Sequence, residues 1–277
     1  MPFSPSVASF LCQACGTEFP PAASPPPACP VCEDERQFVP PGGQRWTSFA
    51  ALSAGHRTVV AYDGALLGFG MTPHFAIGQR ALLLRTPAGN VLWDMIPLID
   101  RATVDLVEGL GGLAAIAISH PHYYSTMARW AEAFGVKVHL HASDEAWVMR
   151  PGGHVKAWDG ERLELLPGVT LLRCGGHFAG GAVLHAAESL VPGGAILAGD
   201  ILQVTPGCDG VGFMRSYPNF IPLGASAVRR IAAALDGFTF EAIYGAFWGR
   251  VVERGGPAVL ERSVARHVGW LERTADI

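Results

Sequence analysis

The sequence of 277 residues is 49% hydrophobic and only 16% charged, a composition typical of globular proteins that excludes a largely disordered chain. Its 20 basic and 24 acidic side chains give a net charge of −4, so the chain lacks the electrostatic signature of a nucleic-acid-binding or anionic-membrane-binding protein. No apolar run reaches the roughly 18 residues that a membrane-spanning helix needs, and the first residues lack the features of a secretory signal. We therefore expect a cytoplasmic protein, in which cysteines bind metal more often than they form disulfides.

Residues 1–42 are predicted to form a zinc ribbon, and residues 43–277 a second, larger domain. The first segment contains two Cys-x-x-Cys pairs, at Cys12, Cys15, Cys29 and Cys32. Each pair can present two thiolates from a tight turn, and four thiolates complete a closed tetrahedral site for structural zinc. So short a segment cannot bury a sufficient core, which makes metal a reasonable source of its stability. Two redox-active cysteine pairs are the alternative interpretation.

Strand-like and helix-like segments alternate after residue 43, which predicts an α/β architecture. In chain order we predict a hairpin over 80–93, a helix over 102–110, a strand over 113–118, a helix over 125–134 capped by Ser125, a strand over 136–140 with a helix after it, β-rich sequence over 155–186, a strand over 195–198, a helix over 224–236, a strand over 242–244 and a helix over 257–273. The hairpin prediction rests on two apolar runs separated by turn residues.

Three histidines and one aspartate follow predicted strands and have the composition of a metal site. His120 and His122 form a His-x-His motif directly after the strand over 113–118. His177 lies in a glycine-rich loop, and Asp200 follows the strand over 195–198. Taken singly, each residue is also typical of packing or of a cap. Because loops after strands commonly carry functional residues, we expect the four side chains together to bind one ion.

This arrangement resembles the metallo-β-lactamase-fold superfamily over roughly residues 60–250. The features that carry the resemblance stand in family order: Trp93-Asp94 after a strand, the His-x-His loop, the Gly-Gly-His loop at 175–177 and Gly199-Asp200. The resemblance implies an αββα four-layer sandwich with the site along one edge of its two sheets. Most members of the superfamily are zinc hydrolases, and some are iron oxygenases or reductases.

The chain departs from the family's longer motif, His-x-His-x-Asp-His, because Tyr124 and Ser125 stand in place of its last two residues. The late segment 244–250, where the family usually supplies another histidine, contains none. The resemblance assigns three histidines, His120, His122 and His177, as ligands of the family's first metal ion. It assigns Asp200 as the carboxylate that bridges the two ions in the family. We therefore predict one ion in this domain, zinc or iron, instead of two.

The resemblance also implies roles for residues near the ion. Asp94 corresponds to an aspartate that supports the metal loop through hydrogen bonds. Asp200 is predicted to ligate the ion or to orient its water. Tyr124, or its neighbour Tyr123, is predicted to donate a hydrogen bond to an oxyanion. Candidates for the pocket wall follow Asp200 along the chain and are Arg215, Tyr217 and Asn219.

The leading prediction of function is a mononuclear metal-dependent hydrolase of a small ester, thioester or lactone, because three neutral imidazoles leave a coordination position for water. The second hypothesis is a mononuclear non-haem iron oxidoreductase resembling persulfide dioxygenases, since two histidines and a carboxylate can form a facial triad. A non-catalytic metal-binding protein is the third, motivated by the missing second-metal ligands. The expected partner is a small-molecule substrate, with neither nucleic acid nor membrane, and the oligomeric state stays open.

Overall fold

The computed structural model describes residues 9–273 of the chain. Residues 9–48, which we call the ribbon, contain strand β1 (Phe10–Cys12), helix α1 (Pro30–Glu33) and strand β2 (Trp46–Ser48). β1 pairs antiparallel with β2, which lies beyond residue 42, and the domain boundary placed there stays a prediction. Helix α2 (Phe49–Gly55) follows, and Ser48 caps it because its hydroxyl accepts a hydrogen bond from the N–H of Ala51.

A seven-stranded mixed sheet comes next, with its strands in chain order. Its strands and the helices between them are β3 (Arg57–Asp63), β4 (Leu66–Thr72), β5 (Ala81–Leu84), β6 (Val91–Trp93), α3 (Arg101–Gly109), β7 (Ala115–Ala117), α4 (Met127–Phe134), β8 (Val138–His141) and β9 (Val155–Trp158). Strands β3 to β6 are antiparallel neighbours, and β6 to β9 are parallel. Parallel neighbours need crossover connections: α3 joins β6 to β7, α4 joins β7 to β8, and a segment with a 3-10 helix joins β8 to β9.

A six-stranded sheet and two short hairpins follow. The elements are β10 (Arg162–Leu166), β11 (Val169–Arg173), β12 (Ala182–Ala186), β13 (Ala195–Gly199), the hairpin β14 (Gln203–Val204) and β15 (Val211–Gly212), the hairpin β16 (Met214–Ser216) and β17 (Ile221–Pro222), α5 (Ala225–Ala234), β18 (Ala242–Gly245), β19 (Val251–Val252) and α6 (Gly256–Leu271). The sheet order is β10-β11-β12-β13-β18-β19, in which β13 and β18 are parallel.

The two sheets pack face to face, and helices cover their outer faces. Leu82 and Leu84 of β5 belong to the cluster between the sheets, while Leu83 packs on the side of α3 and α4, as the alternation of side chains along a strand requires. The outer face of the second sheet packs on α5 and α6. These four layers confirm the predicted αββα sandwich. Among residues 9–273, no helix combines the length and apolarity needed to cross a membrane.

Two predicted helices differ from those in the structure. Helix α4 begins at Met127, because Ser125 has a positive φ of 41° and its hydroxyl donates a hydrogen bond to the carbonyl of Gly16 in the ribbon. The segment after β8 is a short 3-10 helix, Ala142–Trp147. Its extension into a longer helix is opposed by Pro151, whose ring disfavours helical backbone at the residue before it.

Candidate metal centres

The four cysteines predicted to bind zinc come together in the ribbon. The Sγ atoms of Cys12 and Cys32 are 3.5 Å apart, and those of Cys15 and Cys29 are 3.7 Å apart. All four thiols are free and buried, and their Sγ atoms lie within 4.8 Å of one another. Hydrogen bonds from the other thiols, that of Cys15 first, lower the pKa of the Cys12 thiol. The cluster fits a tetrahedral tetrathiolate site and hence a zinc ribbon.

The three predicted histidines and Asp200 form a second cluster at one edge of the two sheets. His120 follows β7, and His122 lies in the next turn, a 3-10 helix at Pro121–Tyr123. His177 occupies the loop between β11 and β12, and Asp200 directly follows β13. One nitrogen of each imidazole and one carboxylate oxygen lie within 4.8 Å of one another. The cluster is therefore compact enough to hold one ion.

Hydrogen bonds behind two of the three imidazoles, those of His120 and His177, leave one nitrogen of each of these two rings directed into the cluster. His177 Nδ1 donates to the carbonyl of Met214 at 3.0 Å, so its Nε2 is the free acceptor and lies 3.2 Å from His122 Nδ1. His120 Nε2 is 3.6 Å from Asp200 Oδ2. Neither His120 Nε2 nor Asp200 Oδ1 has a hydrogen-bond partner among residues 9–273. Because buried polar atoms are normally paired, these free lone pairs fit a bound cation.

Burial keeps the imidazoles neutral, which is the form that binds metal. His120, His122 and His177 are only 1%, 2% and 1% exposed. Burial, followed by the charges of His177 and Arg36, lowers the pKa of His120 and of His122 well below the ordinary value. Burial lowers the pKa of His177 to about 4 and raises that of Asp200 to about 7. A cation would oppose the second effect, because it favours the ionised carboxylate.

Asp94 lies directly behind the first ligand. Its Oδ1 accepts hydrogen bonds from the N–H and the hydroxyl of Ser119, and Ser119 Oγ is 2.8 Å from His120 Nδ1. Since the hydroxyl donates to Asp94, it accepts from His120 Nδ1–H, which directs the Nε2 lone pair into the cluster. Burial raises the pKa of Asp94 to about 7. Asp94 therefore makes hydrogen bonds of the predicted kind, and its effect on metal binding stays a prediction.

The two adjacent tyrosines have different surroundings. The ring of Tyr123 lies 4.4 Å from that of His120, and burial together with the nearby Asp200 charge raises the pKa of Tyr123 well above its ordinary value. Burial and the charge of Asp144 raise the pKa of Tyr124 in the same direction. Tyr123 is thus the tyrosine that contacts the cluster, and a catalytic role for Tyr124 stays a prediction. Tyr217, a predicted wall residue, donates to the main-chain carbonyl of Asp200 at 3.0 Å.

The ribbon covers the second cluster through Arg36, a residue that sequence reasoning missed. The guanidinium lies 3.8 Å from the ring centroid of Phe178, whose ring is 4.8 Å from that of His122. Arg36 Nη1 donates to the carbonyl of His177 at 3.4 Å, and Nη2 donates to Asp34 at 2.8 Å. The signal that could have found Arg36 is weak, because its only mark in the sequence is its position shortly after Cys32.

Two of the three predicted wall residues bind the ribbon. Arg215 Nη2 donates to Glu35 Oε1 at 2.7 Å. The side-chain amide of Asn219 donates to the carbonyls of Glu35 and Gln37, each at 2.9 Å. Their observed contacts therefore fasten the ribbon over the cluster.

No protein-family model matches the sequence. The uncharacterized protein YmaE of Bacillus subtilis (strain 168) is 42% identical over 262 residues, which cover 94% of this chain and 95% of that protein. Among solved structures, VMB-1 has a TM-score of 0.55 at 10% identity and covers 77% of this chain and 98% of its own. DIM-1 metallo-β-lactamase, solved after exposure to ceftazidime, has a TM-score of 0.52 at 12% identity and covers 78% and 97%. At such identities the likeness to these structures concerns the fold alone.

Proposed function

From the premise that the chain belongs to the metallo-β-lactamase-fold superfamily, in one family with YmaE, we propose that it is a mononuclear metal-dependent hydrolase of a small ester, thioester or lactone. One observation carries the proposal. His120, His122, His177 and Asp200 bring their ligand atoms within 4.8 Å, and buried lone pairs among them have no other partner in the described part of the chain.

Different residues in and beside the cluster can supply different functions in hydrolysis. A divalent ion held there would supply Lewis acidity and lower the pKa of a bound water. The three imidazoles would bind the ion in their neutral form. Asp200 Oδ1 is free to accept the proton that an attacking water loses, and the phenol of Tyr123, beside Asp200, can donate a hydrogen bond to a developing oxyanion.

The surroundings of the cluster favour a small substrate over a polymer. The imidazoles are 2% exposed or less, and Phe178 and Arg36 lie against them. A large substrate would have to displace the ribbon, which Arg215 and Asn219 hold in place.

The test is metal-dependent turnover of a panel containing a p-nitrophenyl ester, an acyl thioester and a lactone. Protein treated with a chelator that removes the imidazole-bound ion should lose turnover and regain it with Zn²⁺. His177→Ala should stay inactive after zinc is returned, while Arg229→Gln, on the opposite side of the second sheet, should match the wild type. Turnover that persists in metal-free protein would overturn the proposal.

An iron oxidoreductase is the second candidate, and the presence of a carboxylate in the ligand set favours it. Asp200 Oδ2 lies 3.6 Å from His120 Nε2, so His120, His177 and Asp200 can supply the two nitrogens and one oxygen of a facial triad. Elemental analysis of protein purified without added metal, with oxygen uptake on a thiol-derived persulfide, separates the two candidates. Zinc alone in both sites, with no oxygen uptake, would exclude this one.

A further inference from the structure

The turn that follows the first cysteine pair of the ribbon contacts the loop that carries two of the histidines. The N–H of Glu18 donates to the carbonyl of Ser125 at 3.1 Å, and the hydroxyl of Ser125 donates to the carbonyl of Gly16 at 3.3 Å. Ser125 ends the His-x-His loop in a positive-φ conformation that a serine rarely adopts without such contacts. The turn after Cys15 therefore fixes the end of this loop.

The segment that follows the second cysteine pair contacts the loop that carries the third histidine. Arg36, shortly after Cys32, donates to the carbonyl of His177 and stacks on Phe178. The carbonyl of Arg36 accepts a hydrogen bond from Ser216 at 3.0 Å, at the end of the strand whose Met214 carbonyl accepts from the His177 ring. The second pair thus holds His177 both from its main chain and, through the neighbouring strand, from its ring.

A buried ionic cluster prevents the ribbon from sliding over these loops. Glu18 is 2% exposed, and its carboxylate accepts from Arg129 at 2.7 Å and from Arg150 at 2.6 Å. The hydroxyl of Ser9 donates to the same carboxylate at 2.7 Å. Removing one partner of the Glu18 carboxylate would leave a buried charge incompletely compensated. The ribbon is accordingly fixed in one position.

We propose that Glu18 and Arg36 are positioning residues through which the ion of the four cysteines sets the geometry of the histidine site. The residues that follow each cysteine pair contact one ligand loop, so an ion that joins the two pairs also fixes the distance between the two loops. Coupling of this kind is reciprocal, and an ion in the histidine site must stabilise the ion in the ribbon equally. The inference requires an ion in each site, as the proposed function does, but it requires no particular reaction.

The experiment uses full-length protein reconstituted with Co²⁺, because cobalt bound by thiolates gives an intense charge-transfer band that cobalt bound by nitrogen and oxygen lacks. The two sites are therefore read separately in one titration. Glu18→Gln and Arg36→Gln should weaken Co²⁺ binding at the histidine site by about 10-fold or more, the scale seen when groups behind metal ligands are changed. Arg36→Lys should recover part of the loss, because it keeps the charge over Phe178.

The matched control is Arg229→Gln, an exposed arginine paired with Glu272 and remote from the ribbon. Its Co²⁺ affinity should equal that of the wild type at both sites. If Glu18→Gln and Arg36→Gln retain the thiolate band and bind Co²⁺ at the histidine site as tightly as the wild type, the proposal is wrong.

A second measurement needs no variant and therefore covers the case in which the substitutions prevent folding. The affinity of the ribbon for Co²⁺ is measured in wild-type protein by competition with a chelator at equilibrium and is read from the thiolate band. An ion in the histidine site should raise this affinity by about fivefold or more, which is the lower end of typical coupling. Equal affinities of the ribbon with and without that ion would overturn the proposal, whether or not the protein proves to be a hydrolase.

Discussion

Asp94 accepts two hydrogen bonds from Ser119, one from its N–H at 2.8 Å and one from its hydroxyl at 2.7 Å. Asp94 adopts a positive φ of 59°, which side chains rarely tolerate unless the surroundings enforce it. This pairing commits the Ser119 hydroxyl to accept from His120, and so it decides which nitrogen of His120 is free for a metal. The consequence can be measured as metal affinity.

Asp94→Asn should lower the affinity of the histidine site for Zn²⁺ by about 10- to 100-fold. The reason is that an amide can present its N–H₂ group to Ser119 and so reverse the hydrogen-bond relay that runs from His120 through Ser119 to Asp94. The metal content of the variant after challenge with a weak chelator should fall from two ions per chain to one. Asp105→Asn on the exposed face of α3 is the control and should retain two. Full retention in Asp94→Asn would show that the relay does not orient His120.

Gly199→Ala should have a similar effect through sterics. A Cβ at this position would lie 2.3 Å from Ser119 Oγ and 3.1 Å from Asp94 Oδ2, and the residue has a positive φ of 53°. The relay must therefore shift, so we expect a loss of free energy of unfolding of about 1 kcal/mol or more together with weaker metal binding. Gly109→Ala in α3, where an added Cβ meets nothing within 4 Å, is the matched control and should be neutral or stabilising.

Tyr123→Phe should reduce kcat for the hydrolysed substrate by about 10-fold or more, because it removes a hydrogen-bond donor placed beside Asp200. Tyr124→Phe tests the other tyrosine, whose charged neighbour is Asp144. A loss of kcat in Tyr124→Phe with an unaffected Tyr123→Phe would assign the oxyanion role to Tyr124. KM and zinc content, measured alongside, distinguish a catalytic loss from a loss of binding.

His139 should make the protein less stable as the pH falls. Burial, followed by the charge of Lys156, lowers the pKa of His139 to about 4, against about 6.5 in an unfolded chain. The unfolded state therefore binds the proton more tightly, so the stabilisation is complete above pH 6.5 and is lost as the pH falls towards 4. One pKa unit corresponds to about 1.4 kcal/mol, so the loss is on the order of 3 kcal/mol.

Urea unfolding of wild type and His139→Gln at several pH values measures this loss. Metal release from the other histidines affects both proteins alike, so the difference between them isolates His139. The difference should change across the interval between pH 6.5 and 4. A difference that is constant over this interval would mean that His139 is already protonated in the folded protein.

Sequence reasoning identified the residues of both candidate metal sites because their signals are local or ordered along the chain. The cysteines stand in two close pairs, and each of the other ligands follows an apolar strand. The main layers of the fold were accessible for the same reason, since buried strands such as β13 are continuous apolar runs. Side chains that are adjacent in sequence, such as Tyr123 and Tyr124, could not be told apart, because the 3-10 turn that separates their directions has no sequence signature.

The contacts of the ribbon could not be predicted, because they join distant parts of the chain. Glu18 and Arg129 are 111 residues apart, and Arg36 and His177 are 141 apart. Neither pair has a spacing that any periodic pattern describes. In isolation, Glu18 and Arg36 are ordinary charged residues near a zinc-binding turn, and only the docking of the ribbon gives them neighbours of functional interest.

The docking of the ribbon also has a consequence for biosynthesis. The carbonyl of Arg36 accepts a hydrogen bond from Ser216, 180 residues further along the chain. A ribosome that adds about 5–20 residues per second needs roughly 9 to 36 seconds to synthesise the chain between them. During that interval the four thiols have left the exit tunnel without the partners that later bury them. A nascent chain that captures zinc early is protected from oxidation while it waits, so intracellular zinc supply should limit the yield of folded protein before it limits turnover.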